Sequence, residues 1–180
     1  SRGLGDVYKR QTQSTWTFFT IEKFNWGEDI VGYSLGFIGL LAAIVQGGLI
    51  RVIIPKLGNI KSVYFGMVFY ILGLILISLA QESWMIFAFA IPLSLGGISG
   101  PALQGIMTNN IPDDEQGEFQ GGMTSLISLT AIIGPLLMTN LFSYFTSEST
   151  YFYFPGAPFM LAAVLSIFGL VIAIKFLSGS

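Results

Sequence analysis

The sequence predicts an all-α membrane protein, and three observations carry that prediction. The chain of 180 residues is 53% hydrophobic and only 10% charged, whereas about a quarter of an average soluble domain is charged. Its mean hydropathy is +0.73. Five stretches, near 30–50, 62–80, 84–108, 119–145 and 157–176, stay apolar over the ~20 residues that a helix needs to cross a bilayer. The charged and turn-forming residues fall between them.

Composition also excludes chemistry. The chain has no cysteine and no histidine, which rules out disulfides, Cys/His zinc sites, Ser-His-Asp triads and Cys-His dyads within it. Its net charge is -2, with no basic patch interleaved with aromatics, so a nucleic-acid partner is not expected.

Taken in order, residues 1–11, "SRGLGDVYKRQ", bear no relation to the rest of the chain. They read as translated adapter or vector sequence, the alternative being a native basic linker. Residues 12–180 read as one transmembrane half-domain. "TQSTWTFFTIEKFNW" (12–26) reads as the outer end of a truncated helix, because its apolar part of 13 residues would reach only about 20 Å. "RVIIPKLGNIK" (51–61) is a connection with Pro55 and Gly58, "QES" (81–83) is a tight turn, "NNIPDDEQGE" (109–118) is an acidic hook, and "TSESTYFYFPGAP" (146–158) is a polar, aromatic and proline-rich loop. In the hook, Pro112 suits a first helical turn, while Asp113, Asp114 and Glu115 complement the positive end of the helix dipole.

Orientation follows from the basic residues, since acids contribute little to it. Arg51, Lys56 and Lys61 lie between the first and second spans and Lys175 at the end of the last. With five spans these places share one face, expected to be cytoplasmic together with the C-terminus. Lys23 is on the opposite face, where Trp26, Trp84 and residues 151–153 are expected as interfacial aromatics.

Gly32 with Gly36 and Gly96 with Gly100 are each four apart, a spacing that lets helices approach closely in lipid. Tight packing alone explains them, and so would helices that slide or rock. Pro101 lies inside a span, where it removes a backbone hydrogen bond and invites a kink. Such breaks are tolerated beside other helices or a wet cavity. Polar residues inside the spans are few. Serine and threonine hydroxyls, such as those of Ser94, Thr108 and Thr130, can bond their own helix, whereas Gln46 and Gln104 are costlier to bury and are better cavity candidates. No acid lies mid-span, although proton-coupled transport generally needs a titratable group there. Asp113, Asp114 and Glu118 could be read as a metal site of a prenyltransferase-like membrane enzyme. Such enzymes need two acidic clusters, and only one is present.

Together "WTFFTIEKFNW", "VGYSLGFIGLL" (31–41), "QGGLIRVIIPKLG" (46–58), "PALQGIM" (101–107), "QGEFQGGMTSL" (116–126) and "GPLLMTNLF" (134–142) resemble the C-terminal half of a major facilitator superfamily transporter. They are most similar to its tetracycline-resistance branch of drug/proton antiporters. The resemblance covers roughly residues 14 to 176. It implies the end of helix seven plus helices eight to twelve of a twelve-helix fold, with a substrate cavity between two halves and alternating access by rocking. It implies a pathway past Ser34, Gln46, Ser99, Gln104, Ser125 and Ser128. A loosened hinge helix would contain Gly96, Gly100, Pro101 and Gly105. The cytoplasmic loops would carry Arg51, Lys56, Lys61, Asp113, Asp114, Gln116, Gly117, Gln120 and Gly121.

The implied partners are membrane lipid, an N-terminal six-helix half, a small organic molecule and protons. No cofactor or metal is implied, and the implied location is the inner (plasma) membrane. A non-drug metabolite facilitator of the same fold is the alternative. Tyr70 stands where tetracycline exporters carry an acid, and a phenol with a pKa near 10 does not replace a carboxylate as a proton carrier.

Overall fold

The computed structural model describes residues 15–112, 114–147 and 150–177, and every regular element among them is helical. Residues 1–14, and with them the adapter-like segment, lie outside the described residues, as does Asp113. A short helix α1 (Thr15–Phe24) is followed by five helices long and apolar enough to cross a membrane: α2 (Glu28–Leu57), α3 (Asn59–Leu79), α4 (Ser83–Asn109), α5 (Gln116–Phe145) and α6 (Ala157–Leu177). Helix α1 stops at Asn25, whose φ of 56° is left-handed. Asparagine is among the few side chains that enter that region at low cost.

Three features differ from the sequence expectation. The basic connection is not a loop. Helix α2 continues through Arg51 and Lys56 to Leu57, Lys61 sits in the first turn of α3, and the reversal is made at Gly58 with φ 78°. The segment Ile50–Leu57 is amphipathic, so it can remain helical as it leaves the apolar layer. Pro112 does not open a helix either. Its carbonyl accepts from Glu115 N at 3.1 Å in a turn, and α5 begins at Gln116. Trp26 is not an interfacial anchor: it is 5% exposed and donates from Nε1 to Ser83 Oγ at 2.9 Å. Trp84 and residues 151–153 are exposed.

Helix α3 is the packing centre, in contact with both α4 and α6. In lipid the hydrophobic effect does not drive helices together, so close contact depends on small residues. A Cβ placed on Gly66 would stand 2.5 Å from Ser99 N, and one on Gly73 would stand 2.6 Å from both Leu93 Cα and Leu93 N. These glycines, and not Gly32 or Gly36, mark the tight seam. A methyl group added at Gly32, Gly36 or Gly100 would meet nothing within 4 Å.

The buried cluster lies at the end of the bundle that carries Lys23. It joins Trp16 and Phe19 of α1, Trp26, Val31 of α2, Ile77 of α3, Ile86 of α4 and Phe142 of α5. Helix α1 therefore acts as a plug for that end. Its Trp16 Nε1 donates to Ser34 Oγ at 3.0 Å, and Ser34 Oγ donates onward to Val31 O at 2.7 Å. Replacing Ser34 by alanine is expected to strand the indole N–H and cost about 1–3 kcal/mol, measurable as a lowered melting temperature of the full-length protein in detergent. Ser34→Thr, which retains the hydroxyl, should lose less. Lys23 Nζ donates to Ser78 O at 3.2 Å, in the last turn of α3, where a cation meets the negative end of the helix dipole.

The loop before α6 closes over the same end. Tyr153 Oη donates to Glu22 Oε1 at 2.9 Å, and Gly156 abuts the carbonyl of Ser78. Partial burial, and then the hydrogen bond and charge of Glu22, push the Tyr153 phenol above its usual range. The neutral phenol is the form favoured by the fold. Its contribution is thus complete below the ordinary tyrosine pKa near 10 and is lost as pH rises through the raised value. In a phenolate absorbance titration, Tyr153→Phe should remove a late-titrating tyrosine and Glu22→Gln should move that tyrosine down.

Candidate functional site

The opposite end of the bundle is open. Two irregular turns face each other there. In α2 the helix widens to a π-turn over Val45–Leu49, which holds Gln46, Gly47 and Gly48. In α4 it tightens to a 3-10 turn over Gly96–Ile98 before resuming at Ser99. Part of the cause of the second turn is local. Pro101 has no N–H for the carbonyl of Gly97, and its ring crowds that carbonyl. The glycines at 96 and 97 let the backbone adjust. The break thus falls one turn before the proline, not at it.

Between these turns and the first half of α5 lies a cavity of about 580 Å³. It brings together Gln46, Ser99, Gln104 and Gln120 with Gly96, Gly100 and Pro101. Its apolar wall is Leu103, Met107, Phe119, Met123 and Ile127, and Thr124 completes the lining. None of the described lining residues is ionisable. Ser99 Oγ donates to Gly96 O at 2.8 Å and Thr124 Oγ1 to Gln120 O at 2.8 Å. Both hydroxyl protons are therefore engaged, and these oxygens face a ligand as acceptors. Donation into the cavity falls to the glutamine amides, which carry two N–H groups each. Such a site suits a molecule with an apolar, polarisable body and hydrogen-bonding groups on its edge.

The other sequence-predicted residues lie elsewhere. Ser34 is in the α1–α2 seam. Ser125 and Ser128 are exposed on α5 and bond the carbonyls of Gly121 and Thr124. A Cβ on Gly105 would stand 3.4 Å from Asn59 Nδ2 on α3. Arg51, Lys56 and Lys61 are exposed at the cavity's end of the bundle, and Asp114, Gln116, Gly117 and Gly121 lie in the hook and the first turns of α5. Phe119, Met123, Thr124 and Ile127 join the site without having stood out in the sequence. Helical periodicity from Gln120 reaches three of them, since offsets of three, four and seven share one helix face. Ser125 is turned roughly 140° from Gln120 at about 100° per residue.

The sequence pattern of the Major Facilitator Superfamily matches residues 11–179. The chain belongs to that superfamily. Among curated relatives it is 36% identical over 136 residues to "Tetracycline resistance protein, class C" of Escherichia coli, covering 76% of this chain and 34% of the relative. It is 40% identical over 128 residues to "Tetracycline resistance protein, class E" of Escherichia coli, covering 71% and 32%. A more distant match is "Hippocampus abundant transcript-like protein 1" of Homo sapiens, 23% identical over 175 residues, covering 89% and 35%. The chain thus spans about a third of the length of the curated relatives it matches. No solved structure matches it. Membership places the chain among multi-pass membrane transporters and sets aside the prenyltransferase-like enzyme. The five spanning helices and the all-α architecture fit part of a fold of that superfamily.

Proposed function

We propose that this chain is the C-terminal half of a twelve-helix facilitator that exports small amphipathic organic molecules by alternating access, in exchange for protons. The observation that carries this reading is the cavity where α2, α4 and α5 converge, lined by three glutamine amides and a soft apolar wall. Helices α2 and α5 are also the least enclosed of the five, each 6% buried along its apolar window. Their exposed faces carry Leu40, Ile44, Leu126, Ile132 and Leu136. A second six-helix half seated on these faces would close the cavity at the centre of the bundle.

The relatives named for tetracycline resistance make drug-like compounds the first substrates to try. The basic residues Arg51, Lys56, Lys61 and Lys175 support an orientation with the cavity's end of the bundle, and the C-terminus, on the cytoplasmic side of the inner membrane. Acids on the described spanning helices are confined to their ends, at Glu28, Asp29 and Glu118. The carboxylate that carries the coupling proton is therefore assigned to the rest of the full-length protein, with Tyr70 in place of an acid in α3.

Cells expressing the full-length transporter should accumulate less of some amphipathic compound than cells without it, and an uncoupler should abolish the difference. Equal accumulation across a broad panel would overturn the export reading. A difference reversed in sign would favour a metabolite importer of the same fold.

A further inference from the structure

The cavity wall at Gly96 and Gly97 has a second face, and Tyr70 presses on it from α3. A Cβ on Gly96 would stand 2.5 Å from Tyr70 Cβ and 2.8 Å from its ring carbon Cδ2. Tyr70 lies between Gly66 and Gly73, whose own close contacts are Ser99 and Leu93. The α4 residues that meet α3 therefore run 93, 96, 99, at intervals of three. An α-helix falls about 60° short of a full turn over three residues, whereas a 3-10 turn closes in three. The 3-10 turn brings Ser99 back in line with Gly96 on the α3 face, one α-helical step on from Leu93, and Tyr70 lies against Gly96. Gly96, Gly97 and Ser99 are at the same time cavity residues.

We propose that Tyr70 is a positioning residue that acts on the substrate cavity from outside it, by holding the Gly96–Ile98 turn over-wound so that the distal half of α4 presents Ser99 and Gln104 to the ligand. Relaxation of that turn to α-helical geometry would rotate the segment after it by roughly 60°, the shortfall of three α-helical residues, and carry Gln104 off the cavity face. The proposal rests on the cavity being the substrate site. It predicts that Tyr70 tolerates loss of its hydroxyl but not of its ring.

The test uses the full-length transporter with Tyr70→Phe, Tyr70→Leu, Tyr70→Ala and Gly96→Ala. This chain has no cysteine, so Gln104→Cys, with cysteines elsewhere in the transporter replaced by serine, reports cavity access through its labelling rate with a water-soluble maleimide. Tyr70→Phe should match the parent in labelling and in transport KM. Tyr70→Leu and Gly96→Ala should each change the labelling rate at least about fivefold, and should raise KM by a similar factor with kcat held within about twofold, the size of coupling usual between residues in contact. A merely structural role would lower the amount of folded protein and leave KM and labelling of the folded fraction alone. Should Tyr70→Ala fail to fold, Tyr70→Leu carries the test. Parent-like labelling and KM in Tyr70→Leu would overturn the proposal. Shifted labelling in a parent that transports nothing would support the positioning and overturn the export reading instead.

Discussion

Replacing Gly73 by valine is expected to destabilise the folded transporter strongly. A Cβ there would stand 2.6 Å from two backbone atoms of Leu93, and neither can swing aside as a flexible side chain would. The two helices would have to part along the seam that also contains the Gly66 contact with Ser99 N. Helix α3 also packs against α6, so moving it away from α4 would disturb a second interface. Over-packing of a tight interface costs about 1–3 kcal/mol and sometimes more. A branched side chain against backbone belongs at the top of that range, against a total stability of about 5–15 kcal/mol. Gly117→Ala, in the first turn of α5, is the control, because nothing lies within 4 Å of its added methyl. Such open sites usually stay within about 0.5 kcal/mol. Size-exclusion profiles of the full-length protein after graded heating should separate the two variants clearly. Matching profiles would show that the glycine seam does not constrain the bundle.

The second large effect is expected in the cavity. Gln46→Leu and Gln104→Leu should each raise transport KM by roughly ten- to a hundredfold, because an amide that meets a ligand in an enclosed apolar site contributes about 1–3 kcal/mol when its loss strands the partner. Ser125→Ala should leave KM unchanged, since its hydroxyl is committed to the Gly121 carbonyl on an exposed face. Concentration-dependent uptake into everted vesicles resolves the three variants. A larger effect at Ser125 than at Gln104 would move the substrate pathway off this cavity.

Much of this is legible in the sequence. Hydropathy over ~20 residues locates the spans, because a bilayer core admits little else. The combination of Gln46, Gln104 and Pro101 also points to the helices that line the cavity, because amides and missing backbone donors within a span are costly unless something receives them. The end of α2 resembles a loop in sequence, since Pro55 and three basic residues nearby look like a connection. An amphipathic helix leaving the membrane tolerates both. Trp26 resembles an interfacial anchor because its place in the chain matches an interface, while its indole finds a hydroxyl partner 57 residues away.

Local hydropathy and motifs a few residues long are enough to establish the class of protein, the number and order of the spans, and the family. They do not say which small or polar residue does what, and that is settled by packing. Ser34 and Ser99 are both span serines, yet one clamps a tryptophan and the other lines a cavity. Gly32 and Gly73 are both span glycines, yet only Gly73 holds two helices in backbone contact. The difference lies in what stands opposite each residue across a helix interface, and in lipid that is set by the shape of close packing between segments distant in sequence.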